Sequence, residues 1–482
     1  MADTDRNIKD SEEKTLPNDK EVSRRDFLKM AGVAGAAVGM AGGLGGLVAA
    51  CGGDGEETTT TGAGGSTTSV SAGEEMGREI KLGFVSPITG PIASFGVPDQ
   101  YCVDRAKEAI GDGIVCGDGK KHPITIVVKD SQSDTARAAA VTGDLINNDK
   151  VDIVLTASTP DTVVPVASQA EALQIPCLSN DCPWQPYVDR ANSGDFSVTY
   201  NWNYHCFWGL EDMIANYLDM WAQIETNKKI AVMFSNDADG LAYDGAWPGA
   251  LEAAGYTMTK PSLFQLGTEN FQSQISAFKR DGCELAIGVF IPPDFTNFWT
   301  QCKQQGFNPK IASFAKALLF PESVQSVGEI GNGLTTEVWW TPTHPFTSPL
   351  TGDTCQEFAD EFSRRNNDAQ WTQPLLHFLV FEWAVDVLKR TTDPDDKNSI
   401  IEAVKATKMQ TIGGNIDFTE PVATADPFQV GPCHIHPNVY KTPQVGGQWR
   451  TGTTYPFELV VVTDAAAQGV GIPVADTVQP LA

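Results

Sequence analysis

The chain has 482 residues and a formal net charge of −27, with 34 Lys and Arg set against 61 Asp and Glu. Its length suits two or three domains, and counting Gly with the 41% hydrophobic residues makes about half the chain apolar, as in ordinary globular proteins. That composition argues against wholesale disorder and a multi-span membrane fold, and the acidity argues against nucleic-acid binding or electrostatic docking on anionic lipid.

Residues 1–50 read as an address. Ser23-Arg24-Arg25-Asp26-Phe27-Leu28-Lys29 precede the uncharged run Ala31–Ala50, in which fourteen of twenty residues are Gly or Ala. Such a run is long enough to span a bilayer but weakly hydrophobic, the pattern of a twin-arginine export signal rather than of a permanent span. It ends in Leu47-Val48-Ala49-Ala50-Cys51, which reads as a lipobox with Cys51 as the lipidated residue. A retained N-terminal anchor helix is the plainer alternative. The expected location is the outer face of the cytoplasmic membrane, at the cell surface or in the periplasm. The first fifty residues hold seven basic and eight acidic groups, so the acidity belongs almost wholly to residues 51–482. Residues 51–77, rich in Gly, Thr and Ser, have the composition of a flexible tether.

From Glu79 short apolar runs alternate with helical periodicity. Strands are expected at Ile80–Val85, Ile124–Lys129, Asp152–Thr156 and Ile175–Leu178, with helices at Asp99–Ile110, Thr135–Asn148 and Thr162–Leu173. A second series begins at Ile230–Phe234. It continues through helices Gly245–Ala254 and Phe271–Lys279, strand Leu285–Phe290 and helix Asp294–Gln305. Strand Val338–Trp340 and helices Gln356–Arg365 and Leu375–Lys389 complete it. The expected fold class is α/β, with two doubly wound, Rossmann-like lobes and a ligand cleft between them.

Ten cysteines leave nine once Cys51 is assigned to lipid. In an exported protein Cys177 and Cys182 can pair, with Cys102 and Cys116 a weaker candidate. No Cys-x-x-Cys, Gly-x-Ser-x-Gly, Walker loop or His-Glu-x-x-His occurs.

The run Ile80-Lys81-Leu82-Gly83-Phe84-Val85-Ser86-Pro87-Ile88-Thr89-Gly90-Pro91 resembles the opening of the branched-chain amino acid class of ABC-importer substrate-binding proteins. Asp130-Ser131-Gln132-Ser133-Asp134, Asn148-Asp149-Lys150-Val151-Asp152 and Asn236-Asp237-Ala238-Asp239-Gly240 continue the resemblance, which runs from about residue 79 to about 462. It implies a type 1 periplasmic binding protein with a three-segment hinge crossing near residues 198, 338 and 425. Lobe one would comprise 78–198 and 339–425, lobe two 199–338 and 426–465, and 466–482 a tail.

The resemblance also implies a site. Phe95 matches an aromatic ligand contact after the first strand. Ser158 and Thr159 match the hydroxyls that bind an α-carboxylate, but Pro160 has no N–H to donate and Asp161 adds negative charge, a departure from that chemistry. Asp181 and Trp184 lie in the segment after the fourth strand, where Trp184 can stack on a ligand, enclose a cation or merely cap a loop. Asp239 falls where the family often has an aromatic contact. Asp294 falls where a carboxylate holds the ammonium of an amino acid, or else caps its helix. Tyr204, Trp208, Lys316 and Trp340 complete the candidates. Four aspartates near one cleft (Asp161, Asp181, Asp239, Asp294) predict a ligand with an amine or quaternary ammonium, with Lys316 as counter-evidence.

The expected function is therefore a monomeric, lipid-anchored component of an ABC importer. It would capture an amino acid or related small amine or amide and deliver it to permease and ATPase subunits, with no catalytic residues and no cofactor. A ligand-sensing lipoprotein of the same fold is one alternative. The other is a metal-dependent hydrolase built on Cys433-His434-Ile435-His436 with His344 or His377 as a fourth ligand; the plainer reading of that run is a turn bounded by Pro432 and Pro437.

Overall fold

The alternating runs form two seven-stranded sheets in a computed structural model, which describes residues 75–424 and 428–481. The export signal, the lipobox and all but the last residues of the tether lie outside that range. In lobe one, β1 (Ile80–Ser86), α1 (Asp99–Ile110), β2 (Ile124–Asp130), α2 (Thr135–Asp144), β3 (Ile153–Ala157), α3 (Pro160–Leu173), β4 (Cys177–Asn180), α4 (Trp184–Val188) and β5 (Asn203–Cys206) follow one another. Lobe two repeats the pattern with α5 (Leu210–Ala222), β6 (Lys229–Phe234), α6 (Ala238–Ala253), β7 (Thr257–Thr259), α7 (Gln272–Asp281), β8 (Leu285–Phe290), α8 (Pro292–Gln304), β9 (Ile311–Lys316), α9 (Pro321–Ser326) and β10 (Thr335–Val338). The chain then returns through α10 (Cys355–Arg365), α11 (Phe378–Arg390), α12 (Lys397–Lys405) and the hairpin β11 (Lys408–Thr411) with β12 (Gly414–Asp417). It ends in β13 (His434–His436), β14 (Val439–Tyr440), β15 (Val445–Thr451) and β16 (Phe457–Thr463).

The first sheet runs β13-β14-β5-β4-β3-β1-β2 and the second β16-β15-β10-β9-β8-β6-β7. The first five strands of each lobe pair in parallel. Strands β3, β4, β8 and β9 are buried along their whole length, as parallel strands covered on both faces must be. In each lobe the chain starts at an inner strand, goes to one edge and then winds back the other way. The reversal lies between β1 and β3 in lobe one and between β6 and β8 in lobe two. Loops at the carboxyl ends of strands flanking such a reversal are splayed apart, which opens a crevice there.

Aromatic packing fixes the helices to their sheets. Phe381 of α11 meets Phe84 of β1 edge-on at 5.1 Å. In lobe two, Tyr217 and Trp221 of α5 donate to Glu337 (2.7 Å) and Ser313 (2.8 Å).

The chain crosses between lobes after β5, after β10 and after β14. The second crossing follows residue 338, whereas the first and third follow residues 206 and 440, later than residues 198 and 425. Tyr440 of β14 pairs with Cys206 of β5, so residues 203–206 and 434–440 both belong to the first sheet. The span 426–465 is thus shared between lobes. Two- and three-residue strands interrupted by Pro437 and Asn438 carry almost no periodicity, which is why they escape a reading of the sequence.

The nine described cysteines are all free and all buried. Cys177 opens β4, and the strand alone carries the chain about 10 Å away before Cys182, beyond the roughly 7 Å reach of a disulfide. Among the described residues no helix is long and apolar enough to cross a membrane.

Candidate functional site

A small cavity of about 30 Å³ lies between the lobes, at the carboxyl ends of the strands that flank both reversals. That is space for about two waters, so the lobes are nearly shut. Lobe one contributes Phe95, Thr159, Pro160, Asp181 and Pro183. Lobe two contributes Asp239, Tyr243, Val289, Lys316, Leu319 and Glu337, while Phe207, Trp208 and Trp339 come from the crossings.

At the β3–α3 junction Pro160 stands at the first helical position, where its missing N–H costs nothing. Thr159 precedes it but does not cap the helix. Its Oγ1 and the Oγ of Ser158 are buried with no hydrogen-bond partner, and so is Nε1 of Trp208. Buried polar atoms are normally paired; Thr159 and Trp208 line the crevice, with Ser158 next to it, so their unpaired atoms are open to polar contact.

Lys316 ends β9 and is buried. Its ammonium lies 2.7 Å from Asp239, 3.0 Å from Asp237 and 3.7 Å from Asp161. Asp161 belongs to lobe one, so this cluster crosses the cleft. Burial opposes the lysine's charge, but Asp237, Asp239 and Asp161 outweigh it and hold the ammonium firmly protonated. The backbone at Lys316 has φ 68° and ψ −56°, a γ-turn conformation strained for a residue with a side chain. These three aspartates form the one cluster of potential metal ligands among the described residues. The lysine ammonium already occupies the place of a cation among them.

A second buried network stands behind Asp181, itself at φ 61°. His377 sits 2.7 Å from Asp181 through Nε2 and 2.7 Å from Asp99 through Nδ1, and Ser86 donates to Asp99. Burial opposes the imidazolium, but Asp99 and Asp181 together raise His377 to about 9. Burial pushes all three cavity carboxylates upward, Asp181 to about 7 against His377, Asp239 to about 7 against Lys316, and Glu337 as well.

Of the residues picked from sequence, Phe95, Thr159, Asp181, Trp208, Asp239 and Lys316 line the cavity. Ser158 is adjacent and orphaned but is not in the lining. Asp294 is not in the cavity: its carboxylate accepts the N–H of Gly267 at 3.0 Å, clamping the preceding loop. Trp184 is turned away, because its indole N–H donates to Glu211 at 3.0 Å and its ring meets Phe196. Tyr204 is buried in β5 against Phe418. Trp340 donates to the carbonyl of Ile412, leaving its neighbour Trp339 to face the cleft.

His434 and His436 are part of β13 rather than of a turn. His434 is hydrogen-bonded to the Glu420 carbonyl and His436 accepts the N–H of Asn438. Alternation in a strand points Cys433 to the opposite face, where it packs in the apolar cluster with Ile435 and Val439. His344 hydrogen-bonds Thr341, and His377 is held by its aspartates. These groups do not converge on one point, so the proposed metal set is not assembled.

Two α/β lobes with an orphan-lined crevice define a two-lobed binding protein. The model of the periplasmic binding protein family matches residues 79–427, and the chain belongs to that family. Residues 21–41 match the signal sequence of the twin-arginine translocation pathway. Among solved structures, a leucine-binding protein of Thermotoga maritima is 16% identical, with a TM-score of 0.63 over 80% of this chain and 99% of that one. A solute-binding protein of an ABC transporter from Rhodopseudomonas palustris, solved with 3,4-dihydroxybenzoic acid, is 17% identical at a TM-score of 0.62, covering 81% and 99%. A branched-chain amino acid transporter substrate-binding protein from Streptococcus pneumoniae, solved with isoleucine, is 17% identical at 0.58, covering 80% and 99%. At such identities the likeness shows the fold, that of type 1 periplasmic binding proteins.

Proposed function

We propose that this chain is the substrate-binding component of an ABC importer and that its ligand carries a cationic amine. The observation that carries the ligand class is the placement of Asp181 and Asp239 on one cavity from opposite lobes, among Phe95, Phe207, Trp208, Tyr243 and Trp339. Lys316 and His377 answer only part of the charge of Asp99, Asp161, Asp181, Asp237 and Asp239. An ammonium between Asp181 and Asp239 supplies counter-charge, and the aromatic faces suit a cation. Ser158, Thr159 and Trp208 offer the remaining polar contacts. A ligand that touches both lobes favours the closed arrangement, the form a permease would recognise.

The test is a thermal-shift panel of amino acids, quaternary and primary amines, amides and aromatic acids, with mass spectrometry of whatever leaves the natively purified protein. An amine is expected to raise the melting temperature most. Asp181→Asn should weaken it at least tenfold, about 1.4 kcal/mol. Affinity should rise with pH through about 7, where Asp181 and Asp239 lose their protons. Tightest binding by aromatic acids, unchanged in Asp181→Asn, would discard the amine.

The proposal includes a lipid anchor on Cys51, supported by the lipobox following a matched export signal. Cys51→Ser is expected to move the exported protein from the membrane fraction to the soluble one. Continued membrane association would favour a retained helix.

A further inference from the structure

A second cavity, of about 680 Å³, opens beside the cleft. Helix α3 and the segment after α4 bound it on lobe one, and helices α5 and α6 on lobe two. Its volume falls within the roughly 300–1,000 Å³ typical of small-molecule sites. The walls are apolar: Val164, Leu210, Ile214, Leu241, Ala242 and Ala246.

The charged groups at its rim are already engaged. Asp189 accepts from Ser193 and Gly194, Glu211 from Trp184, Gln185 and Lys441, and Asp161 from the N–H of Ala238 while pairing with the Lys316 ammonium at 3.7 Å. Arg190 donates to Tyr187 and Ser168 through Nε and Nη1 and stacks over Tyr200 at 3.8 Å, while its buried Nη2 has no hydrogen-bond partner. The carboxylates of the lining thus have partners, and Arg190 Nη2 is its one buried side-chain polar atom without one, against walls that are mainly apolar. Gly245, on the α6 wall, faces open space, since a Cβ built on it meets no atom within 4 Å.

We infer that this cavity binds a small uncharged hydrophobic group in contact with both lobes, a site distinct from the charged interlobe cavity. Contact with both lobes makes its occupancy favour closure. Pro160 lines both cavities, so the group is either a separate molecule or the apolar body of a ligand whose amine lies in the cleft.

The probe is the neutral fluorophore N-phenyl-1-naphthylamine, titrated into the full chain in detergent-free buffer. A saturable, one-site rise in fluorescence is expected. Gly245→Phe and, independently, Ala246→Leu should weaken it at least tenfold while melting within a few degrees of the parent. Decyltrimethylammonium against tetramethylammonium separates the two sources. A tenfold gain from the decyl chain that Gly245→Phe abolishes assigns the cavity to the tail of a cleft ligand. No gain, with the fluorophore still bound, assigns it to a separate molecule. Absence of saturable binding overturns the inference. So does equal binding by both variants, or binding lost in Trp339→Ala but retained in Gly245→Phe.

Discussion

Lys316→Met is expected to lower stability at pH 8 by about 3–5 kcal/mol, the usual cost of breaking a buried ion pair and leaving its partners unpaired. The side chain of Met nearly conserves the lysine stem, so the loss reports the ammonium. Without it, Asp161, Asp237 and Asp239 keep carboxylate oxygens within 4.8 Å of one another with no cation among them. Asp161 and Asp239, already raised by burial, then rise further above the unfolded value of about 3.9, and Asp237, now held low by Lys316, loses that support. For a carboxylate raised on folding, the cost is absent below the unfolded value and complete above the folded one. The deficit of Lys316→Met should therefore shrink steadily as pH falls from 8 to 5. Because Asp161 and Lys316 come from different lobes, the variant should also open the cleft, read as a larger radius of gyration in solution scattering. A Met variant that melts with the parent at pH 8 would mean that the ion cluster does not form.

That cluster also shows what the sequence makes legible. Strand-and-helix alternation is readable because β1, β8 and α1 are short apolar runs and a full amphipathic helix, and their observed limits differ little from the expected ones. Phe95, Thr159, Asp181, Asp239 and Lys316 are reached from sequence through the family resemblance, and all five lie at or just beyond strand ends on one cavity. Helix α6 is expected from sequence only from Gly245. It starts at Ala238, capped by Asp237, whose side chain accepts the N–H of Gly240 at 2.8 Å. Glycine at 240 reads as a helix breaker, yet a Cβ there would fall 1.7 Å from the Ser235 carbonyl, so close packing demands it. Trp340, named from sequence, packs toward Ile412, while the neighbouring Trp339 lines the cavity. Asp294 fails because sequence gives its position at a helix start but not the loop that folds back to donate Gly267 N–H. His377 and Asp99 are 278 residues apart in the chain, and no local pattern joins them.

Replacing His377 by Gln is the second change with a large expected effect. The imidazolium lies between Asp99 and Asp181, and all three are buried. Gln can still donate one hydrogen bond but carries no charge, so about 3–5 kcal/mol should be lost at pH 7. The pH dependence separates this from simple repacking. Folding raises His377 to about 9 from an unfolded value of about 6.5. A base raised on folding contributes its full stability below the unfolded value and loses it as pH rises through the folded one. Asp181, raised by burial to about 7, has completed its own change by pH 8. The buried cysteines, raised by burial, lower stability above about pH 8.5 in parent and variant alike, so they cancel in the difference. The stability gap between parent and His377→Gln should thus be widest near pH 7 and close as pH climbs past 9. A gap that stays constant from pH 7 to 10 would show that His377 is neutral in the folded protein. In that case the negative charge of Asp181, on which capture of an amine depends, would have no buried cation to hold it in place.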